Sequence, residues 1–169
     1  MRVRLLQLDD ATADLGVGLL AALPAPFRPG ELVRVPGVVA SCRDDRRGQV
    51  DASRLVERIE VPEKGWVVLG LLGTDLFVSA LTYVFGVSEL GGRRGILSWS
   101  RLDMAMGGKD SLLRRVRIEA AHELGHALGL VHCPVGSCPM HRTLWPEAVE
   151  LKGLDYCPSC RTHLDAATT

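Results

Sequence analysis

The segment HELGHALGLVH, residues 122–132, constrains the fold more than any other part of the sequence. His122 and His126 are four positions apart, so on a helix their imidazoles lie on one face, about one turn apart, and can bind the same ion. Gly129 tolerates the left-handed conformation that ends a helix, and such a turn would bring His132 back toward the other two histidines. The spacing therefore predicts a helix that ends near Gly129 and a metal site with three histidine ligands.

Glu123 follows His122 in the sequence but points about 100° around the helix axis from it, beside the ion rather than onto it. Three imidazoles leave a fourth position on zinc for water, which distinguishes a catalytic zinc site from a closed structural one. Zinc lowers the pKa of its bound water toward about 7, and a neighbouring carboxylate can accept the proton as the oxygen attacks a carbonyl. The pattern predicts metal-assisted hydrolysis of an amide, with Glu123 as the general base.

Four of the five cysteines form a second cluster that begins directly after His132, with the spacing C-x4-C-x18-C-x2-C; they are Cys133, Cys138, Cys157 and Cys160. This spacing resembles that of tetrahedral all-cysteine zinc sites, which are structural. Two disulfides or free thiols are the alternatives. Because His132 and Cys133 are adjacent, an extended backbone would send their side chains to opposite sides, and one segment would hold two ions. Cys42 stands apart and is predicted to be a buried small hydrophobe.

The rest of the pattern predicts a mixed α/β fold. Strands are predicted over residues 3–8, 31–39, 66–72, 81–87 and 96–99, and helices over residues 9–23, 51–59 and 110–128. Asp51 or Ser53 would cap the second helix, and Asp110 or Ser111 the third. The early alternation of strand and helix favours a mostly parallel sheet, with one antiparallel strand possible among the last. Apolar residues are too sparse in the tail after Gly129 to form a core by themselves.

Composition narrows the class of protein. At 169 residues the expectation is one domain. The 20 Lys and Arg residues balance 20 Asp and Glu residues, so no net field attracts nucleic acid or an anionic membrane. The first apolar run is too short for a signal peptide, and no run of about 18 apolar residues predicts a membrane span. We therefore expect a cytoplasmic protein, in which a cysteine cluster indicates metal before disulfides.

The histidine motif, joined directly to C-x4-C-x-M and followed by C-x2-C, resembles the archaemetzincins, a family of metzincin-clan zinc peptidases. Residues 73–90 and 95–102 resemble the strand region of the family. The resemblance implies a zinc metallopeptidase that binds two zinc ions, a catalytic one on the histidines and a structural one on the cysteines. It also implies that Met140 lies in a tight Met-turn beneath the metal ligands.

The implied fold is a mixed, twisted five-stranded sheet with one antiparallel edge strand, packed on a first helix and on the long active-site helix. Residues 1–169 would form a single catalytic domain, with residues 1–129 as its upper part and residues 130–169 as a lower part that the second zinc stabilises. The edge strand is assigned to residues 81–86. An extended peptide or unfolded protein segment, the implied partner, could pair with its free edge.

Some metzincins carry a tyrosine shortly after the methionine. Here His141, Arg142 and Thr143 follow Met140, so no tyrosine is assigned to the oxyanion. His141 and His163 are expected to be surface or loop residues. The alternative to an enzyme is a zinc-stabilised peptide-binding or regulatory module with little turnover. A nucleic-acid-binding zinc ribbon is a third reading, which neutral charge and scarce aromatic residues disfavour. The oligomeric state stays open.

Overall fold

The computed structural model describes residues 1–10, 13–61 and 63–168. Its strands are β1 (Arg2–Gln7), β2 (Arg28–Arg34), β3 (Arg43–Asp44), β4 (Gln49–Asp51), β5 (Trp66–Leu72), β6 (Leu76–Val78), β7 (Leu81–Val84), β8 (Gly86–Ser88) and β9 (Arg94–Ser98). Its helices are α1 (Ala13–Ala21), α2 (Ala52–Glu57), α3 (Lys109–Ala127), α4 (Pro146–Val149) and α5 (Pro158–Thr168), with short 3-10 turns at Ala40–Cys42 and Leu102–Met104.

The main sheet has five strands in the order β2-β1-β5-β9-β8. The first four are parallel, and β8 runs antiparallel to β9 at the edge. This arrangement confirms the predicted mixed sheet with an antiparallel edge strand. Strands β1, β5 and β9 end within two residues of the predicted bounds. The signal is clearest for β5, WVVLGLL, since a strand in the middle of a parallel sheet is buried on both faces and reads as one apolar run.

The predicted edge strand is wrong in its position. Residues 81–87 form two strands rather than one, with Phe85 between them. The edge strand of the main sheet is β8, whereas β7 pairs with β6 in a second, four-stranded sheet of order β3-β4-β6-β7. This second sheet was not predicted from the sequence. Its strands are two to four residues long, too short for an alternating pattern to stand out, and an apolar run does not specify its pairing partner.

Strand β2 and helix α1 also differ from their predicted bounds. Residues 31–39 were predicted as a strand, but β2 ends at Arg34, before Pro36, which has no N–H to donate to the sheet. The first helix was predicted over residues 9–23 and is observed as Ala13–Ala21. Residues 11 and 12 of that prediction lie outside the described residues.

Of the two predicted helix caps, the one for α2 is confirmed and the one for α3 is wrong. Asp51 caps α2 as expected, since its side chain accepts a hydrogen bond from the Arg54 N–H at 3.2 Å. For α3 the cap is Gly108, with no side-chain hydrogen bond, and not Asp110 or Ser111. Both of those residues lie inside the first turn, where an acidic group such as Asp110 favours the helix electrostatically without capping it.

The main sheet carries a hydrophobic core on each face, as the alternation along β5 shows. Val67 and Leu69 belong to one core, which α1 and α3 cover, and Val68 belongs to the other, which includes Leu55 and Val56 of α2. The prediction for Cys42 is confirmed: it is fully buried in the second core.

The C-terminal segment packs on the first of these cores. Val149 and Leu164 are fully buried in it, and the Tyr156 hydroxyl donates a hydrogen bond to the Ala121 carbonyl of α3 at 2.6 Å. The helix α5 was not predicted, because few apolar residues mark its buried face. The segment is thus held against the long helix by apolar contacts and by the hydrogen bond from Tyr156. No helix among the described residues is both long and apolar enough to cross a membrane.

Candidate active site

The three histidines of the motif converge at the C-terminal end of α3. His122 and His126 lie on one face of the helix, with ring centroids 4.6 Å apart, and His132 approaches them at 5.3 and 4.9 Å. Their ligand atoms all lie within 4.8 Å of one another. The geometry expected from the four-residue spacing is therefore present.

The turn that returns His132 to the helix is built around Gly129. Its φ of +96° lies in the left-handed region, which favours glycine. The Gly129 N–H donates to the His126 carbonyl, and the Leu130 N–H donates to the Gly125 carbonyl, both at 2.9 Å. These bonds satisfy carbonyl groups that the end of a helix leaves without partners. The predicted role of Gly129 in ending the helix is confirmed.

Backbone carbonyls orient two of the imidazoles. Nδ1 of His122 lies 2.8 Å from the Pro139 carbonyl, and Nδ1 of His126 lies 2.7 Å from the Leu130 carbonyl. A carbonyl only accepts hydrogen bonds, so each Nδ1 carries the proton and each Nε2 keeps its lone pair. Burial is the main cause that lowers the pKa of His122 well below its ordinary value, so this ring is neutral.

The two Nε2 atoms of His122 and His126 are only 3.1 Å apart. Two lone pairs at this distance repel one another unless a cation lies between them. In a tetrahedral zinc site with Zn–N bonds of about 2.0–2.1 Å, neighbouring nitrogens are about 3.3 Å apart. The three-histidine cluster, which His132 completes, therefore fits a zinc ion.

Glu123 lies outside this ligand cluster, as expected, and only 4% of its surface is exposed. Its Oε2 accepts a hydrogen bond from Ser88 Oγ at 2.7 Å. Its other oxygen, Oε1, lies against Gly86, where a Cβ atom would be only 2.6 Å away. Burial raises the pKa of Glu123 to about 8, and the hydrogen bond from Ser88 opposes that shift. A cation on the histidines would oppose it further.

The histidines and Glu123 open onto a cleft of about 500 Å³. Residues 81–88 form one wall and residues 142–145 form the other. The Tyr83 hydroxyl donates a hydrogen bond to the Leu144 carbonyl and so joins the two walls. Tyr83 was predicted only to lie in a strand, since nothing in the sequence indicates that this strand faces the site.

A buried ion pair supports the wall that follows Met140. Lys152 Nζ lies 2.5 Å from Glu119 Oε1, and the same ammonium group donates to the carbonyls of Pro139 and His141 at 3.2 and 3.3 Å. Both charged side chains are almost fully buried. This pair was not predicted from the sequence. Glu119 could have been noticed, because it lies one turn before His122 on the same helix, whereas Lys152 carries no such signal.

Met140 packs under the histidine-bearing turn of α3. It is fully buried, and a Cβ atom on Gly125 would collide with its Sδ. The His141 N–H donates to the Cys138 carbonyl at 2.9 Å, which closes a tight turn that contains Met140. Met140 thus lies beneath the histidines, and its role as the Met-turn stays a prediction from the resemblance. His141 is half-buried rather than exposed, and its Nδ1 lies 3.1 Å from the Cys133 carbonyl; His163 is exposed on α5.

The four clustered cysteines converge on the other side of the His132–Cys133 segment, with sulfur atoms all within 4.8 Å of one another. The Sγ atoms of Cys133 and Cys157 are 3.7 Å apart. Zn–S bonds of about 2.3 Å give tetrahedral S···S edges of about 3.8 Å, so the cluster fits a zinc ion. Hydrogen bonds lower the pKa of the Cys157 thiol to about 7, and the largest contribution comes from the backbone of Cys160. All five cysteines lie in the described part of the chain, and none is in a disulfide.

Comparisons with known proteins point to one family. The family model described as "Peptidase family M54" matches residues 12–166. An archaemetzincin from Archaeoglobus fulgidus is 36% identical over 150 residues, which are 86% of this chain and 88% of that protein. An archaemetzincin from Methanocaldococcus jannaschii is 36% identical over 118 residues, which are 68% of this chain and 65% of that protein, slightly less than two-thirds of its length.

A solved structure shows the same architecture. The crystal structure of an archaemetzincin from Methanopyrus kandleri superposes with a TM-score of 0.84 at 26% identity and covers 99% of this chain and 94% of that one. The resemblance stated from the sequence motifs is confirmed by these matches. The chain belongs to peptidase family M54, the archaemetzincin family of zinc metallopeptidases.

Proposed function

We propose that this chain hydrolyses peptide bonds with a zinc ion held by His122, His126 and His132 and with Glu123 as the general base. The observation that carries the proposal is the 3.1 Å approach of two unprotonated Nε2 atoms beside a buried carboxyl group that borders the same cleft. When bound, the zinc ion supplies a Lewis acid that polarises the scissile carbonyl and makes water easier to deprotonate.

Glu123 has the position and the protonation behaviour that a general base needs. Ser88 occupies Oε2, so Oε1 is the oxygen that accepts the proton from the attacking water. The proton then passes from Oε1 to the nitrogen of the leaving amine as the peptide bond breaks. A group that takes up and releases a proton in one cycle works best with a pKa near the working pH, and burial moves the pKa of Glu123 in that direction.

The edge strand β8 is the proposed docking strand for the substrate. One edge of β8 pairs with β9, and residues 86–88 line the cleft. An extended peptide can add to such an edge through main-chain hydrogen bonds, which position its carbonyl groups without requiring a particular sequence. The proposed partner is therefore a peptide or an unfolded protein segment.

A second zinc ion is proposed at the cysteine cluster, with a structural role. Four thiolates close a tetrahedral site completely, and zinc bound there stabilises the fold directly. The zinc ion would fix the position of Cys133. Because His132 directly precedes Cys133 in the chain, the position of His132 would be fixed as well. A reducing cytoplasm, the proposed location, keeps such thiols available for the metal.

A peptide-binding module with little turnover is the second candidate function. The hydrogen bond from Tyr83 to the Leu144 carbonyl favours it, because this bond joins the two cleft walls and a product held between them can leave only when the bond breaks or moves aside, which slows turnover. A module that only binds peptides has no need of Glu123 as a base. The two candidates therefore differ in the expected effect of replacing this residue.

Cleavage of a diverse peptide library by the zinc-loaded protein, followed by mass spectrometry, tests the proposal. We expect cleavage by the wild type and a loss of at least about 100-fold in Glu123→Gln, since a positioned general base contributes that much or more. The variant should keep its zinc content and circular dichroism spectrum. Equal cleavage by Glu123→Gln would refute the role of Glu123, and binding without cleavage by the wild type would favour the peptide-binding module.

A further inference from the structure

Arg142 differs from the other charged side chains that line the cleft. Glu119 is paired with Lys152, and the Glu123 carboxyl accepts a hydrogen bond from Ser88. The side chain of Arg142 is exposed and makes no hydrogen bond or ion pair with any residue that the structure describes. Its guanidinium group is thus a free cation at the mouth of the proposed catalytic site.

The backbone on both sides of Arg142 is fixed. The preceding carbonyl, of His141, accepts a hydrogen bond from the buried Lys152 ammonium group at 3.3 Å. Two residues later, the Leu144 carbonyl accepts one from the Tyr83 hydroxyl. Because the backbone is already held, the cost of ordering the protein on binding is confined to the Arg142 side chain.

The surroundings of Arg142 favour an anionic ligand. The walls of the cleft are rich in apolar side chains, including Leu81, Phe85 and Trp145. Arg142 lines the same cleft as the three histidines. A planar guanidinium matches a carboxylate with two parallel hydrogen bonds.

We infer that Arg142 binds a carboxylate group of the peptide substrate, so that acidic peptides are the preferred substrate class. This inference rests on the proposed function, because it concerns the same cleft. The carboxylate is that of an Asp or Glu side chain or that of the C-terminus of a short peptide. Both sources present the same two oxygens to the guanidinium.

The test uses zinc-loaded protein and a peptide that the protein cleaves, with its C-terminus amidated. In variants of this peptide, each residue on either side of the scissile bond is replaced in turn by Glu, Gln or Lys. We expect the wild type to favour the best Glu peptide over its Gln counterpart by about fivefold in kcat/KM, the factor that one exposed charge pair can contribute. Arg142→Ala should bring that ratio close to one, and Arg142→Glu should make the Lys peptide the preferred one. A neutral peptide with a free or an amidated C-terminus distinguishes the two sources of the carboxylate.

Arg58→Ala is the matched control, since Arg58 is exposed, lies outside the cleft and carries the same charge. It should keep the wild-type preference. Equal kcat/KM for Glu, Gln and free C-terminal peptides, or an acid preference that survives Arg142→Ala, would overturn the inference.

A binding measurement separates failure of the inference from failure of the proposed function. Fluorescence anisotropy of labelled Glu and Gln peptides on zinc-loaded Glu123→Gln protein reports their Kd ratio without turnover. If the wild type cleaves nothing, the proposed function fails while the Kd ratio still decides the role of Arg142. A Kd ratio that favours the Glu peptide on Glu123→Gln protein and disappears in the double variant Glu123→Gln/Arg142→Ala supports the role of Arg142. A ratio that is the same in both variants contradicts that role.

Discussion

Ser88 Oγ lies 2.7 Å from Glu123 Oε2 and 2.9 Å from the Glu123 carbonyl oxygen, so this one hydroxyl joins the edge strand β8 to the helix that carries the histidines. The bond to Oε2 fixes the buried carboxyl group at the border of the cleft. It also links the strand that we propose for substrate docking to the group that we propose as the base. Binding and proton transfer are therefore expected to depend on the same serine.

Replacement of Ser88 by Ala should lower kcat by about tenfold and leave the fold intact. Loss of one hydrogen bond to a charged group costs about 1.5 kcal/mol, which is about a factor of ten in rate when the bond holds the reacting group in place. Steady-state kinetics should show the loss in kcat more than in KM. Ser41→Ala is the control, because it removes an exposed hydroxyl outside the cleft, and it should leave kcat unchanged. An unchanged kcat in Ser88→Ala would contradict the positioning role of Ser88.

Gly86→Ala should impair both activity and stability. A Cβ atom at this position would lie 2.5 Å from the Ile96 carbonyl oxygen and 2.6 Å from Glu123 Oε1, and backbone cannot move away as a side-chain end can. Overpacking of this kind costs about 1–3 kcal/mol.

Gly136→Ala provides the comparison for Gly86→Ala, because nothing lies within 4 Å of a Cβ atom there. Urea unfolding and peptide cleavage should both be close to those of the wild type in this variant. If Gly86→Ala behaved the same way, the close packing of Glu123 against the edge strand would be wrong.

Lys152→Met should destabilise the protein by about 3 kcal/mol, because removal of one partner leaves the other charge of a buried pair without compensation. The double variant Glu119→Leu/Lys152→Met should recover much of that loss, since two apolar side chains replace the pair. Urea denaturation of both variants measures the difference.

The exposed Lys64 supplies the control for this pair. Lys64→Met should change the free energy of unfolding by less than about 0.5 kcal/mol. Equal stability of Lys152→Met and Lys64→Met would show that the Lys152–Glu119 pair does not hold the wall that follows Met140.

The sequence was most informative where a function depends on local spacing. His122 and His126 lie one turn apart on α3, so the periodicity of the helix alone places them, and Gly129 marks the end of that helix. The cysteine spacing identifies the second cluster. The apolar run of β5 likewise identifies the centre of the main sheet from its composition.

The sequence was least informative where contacts are made between distant segments. The division of residues 81–87 into β7 and β8 depends on two different sheets, and neither pairing is visible in an apolar run. Lysine is a residue type that is rarely buried, so burial of Lys152 against Glu119 contradicts what its residue type predicts. The sequence does not indicate that Tyr83 and Arg142 lie near the site, and only the fold shows that both line one cleft.

The zinc content of the purified protein, measured by native mass spectrometry in the wild type and in His126→Ala, tests the central claim most directly. We expect two zinc ions per chain in the wild type and one in the variant, with the fold retained, because the cysteine cluster keeps its own ion. One ion in the wild type, or two ions that persist in His126→Ala, would contradict separate histidine and cysteine sites.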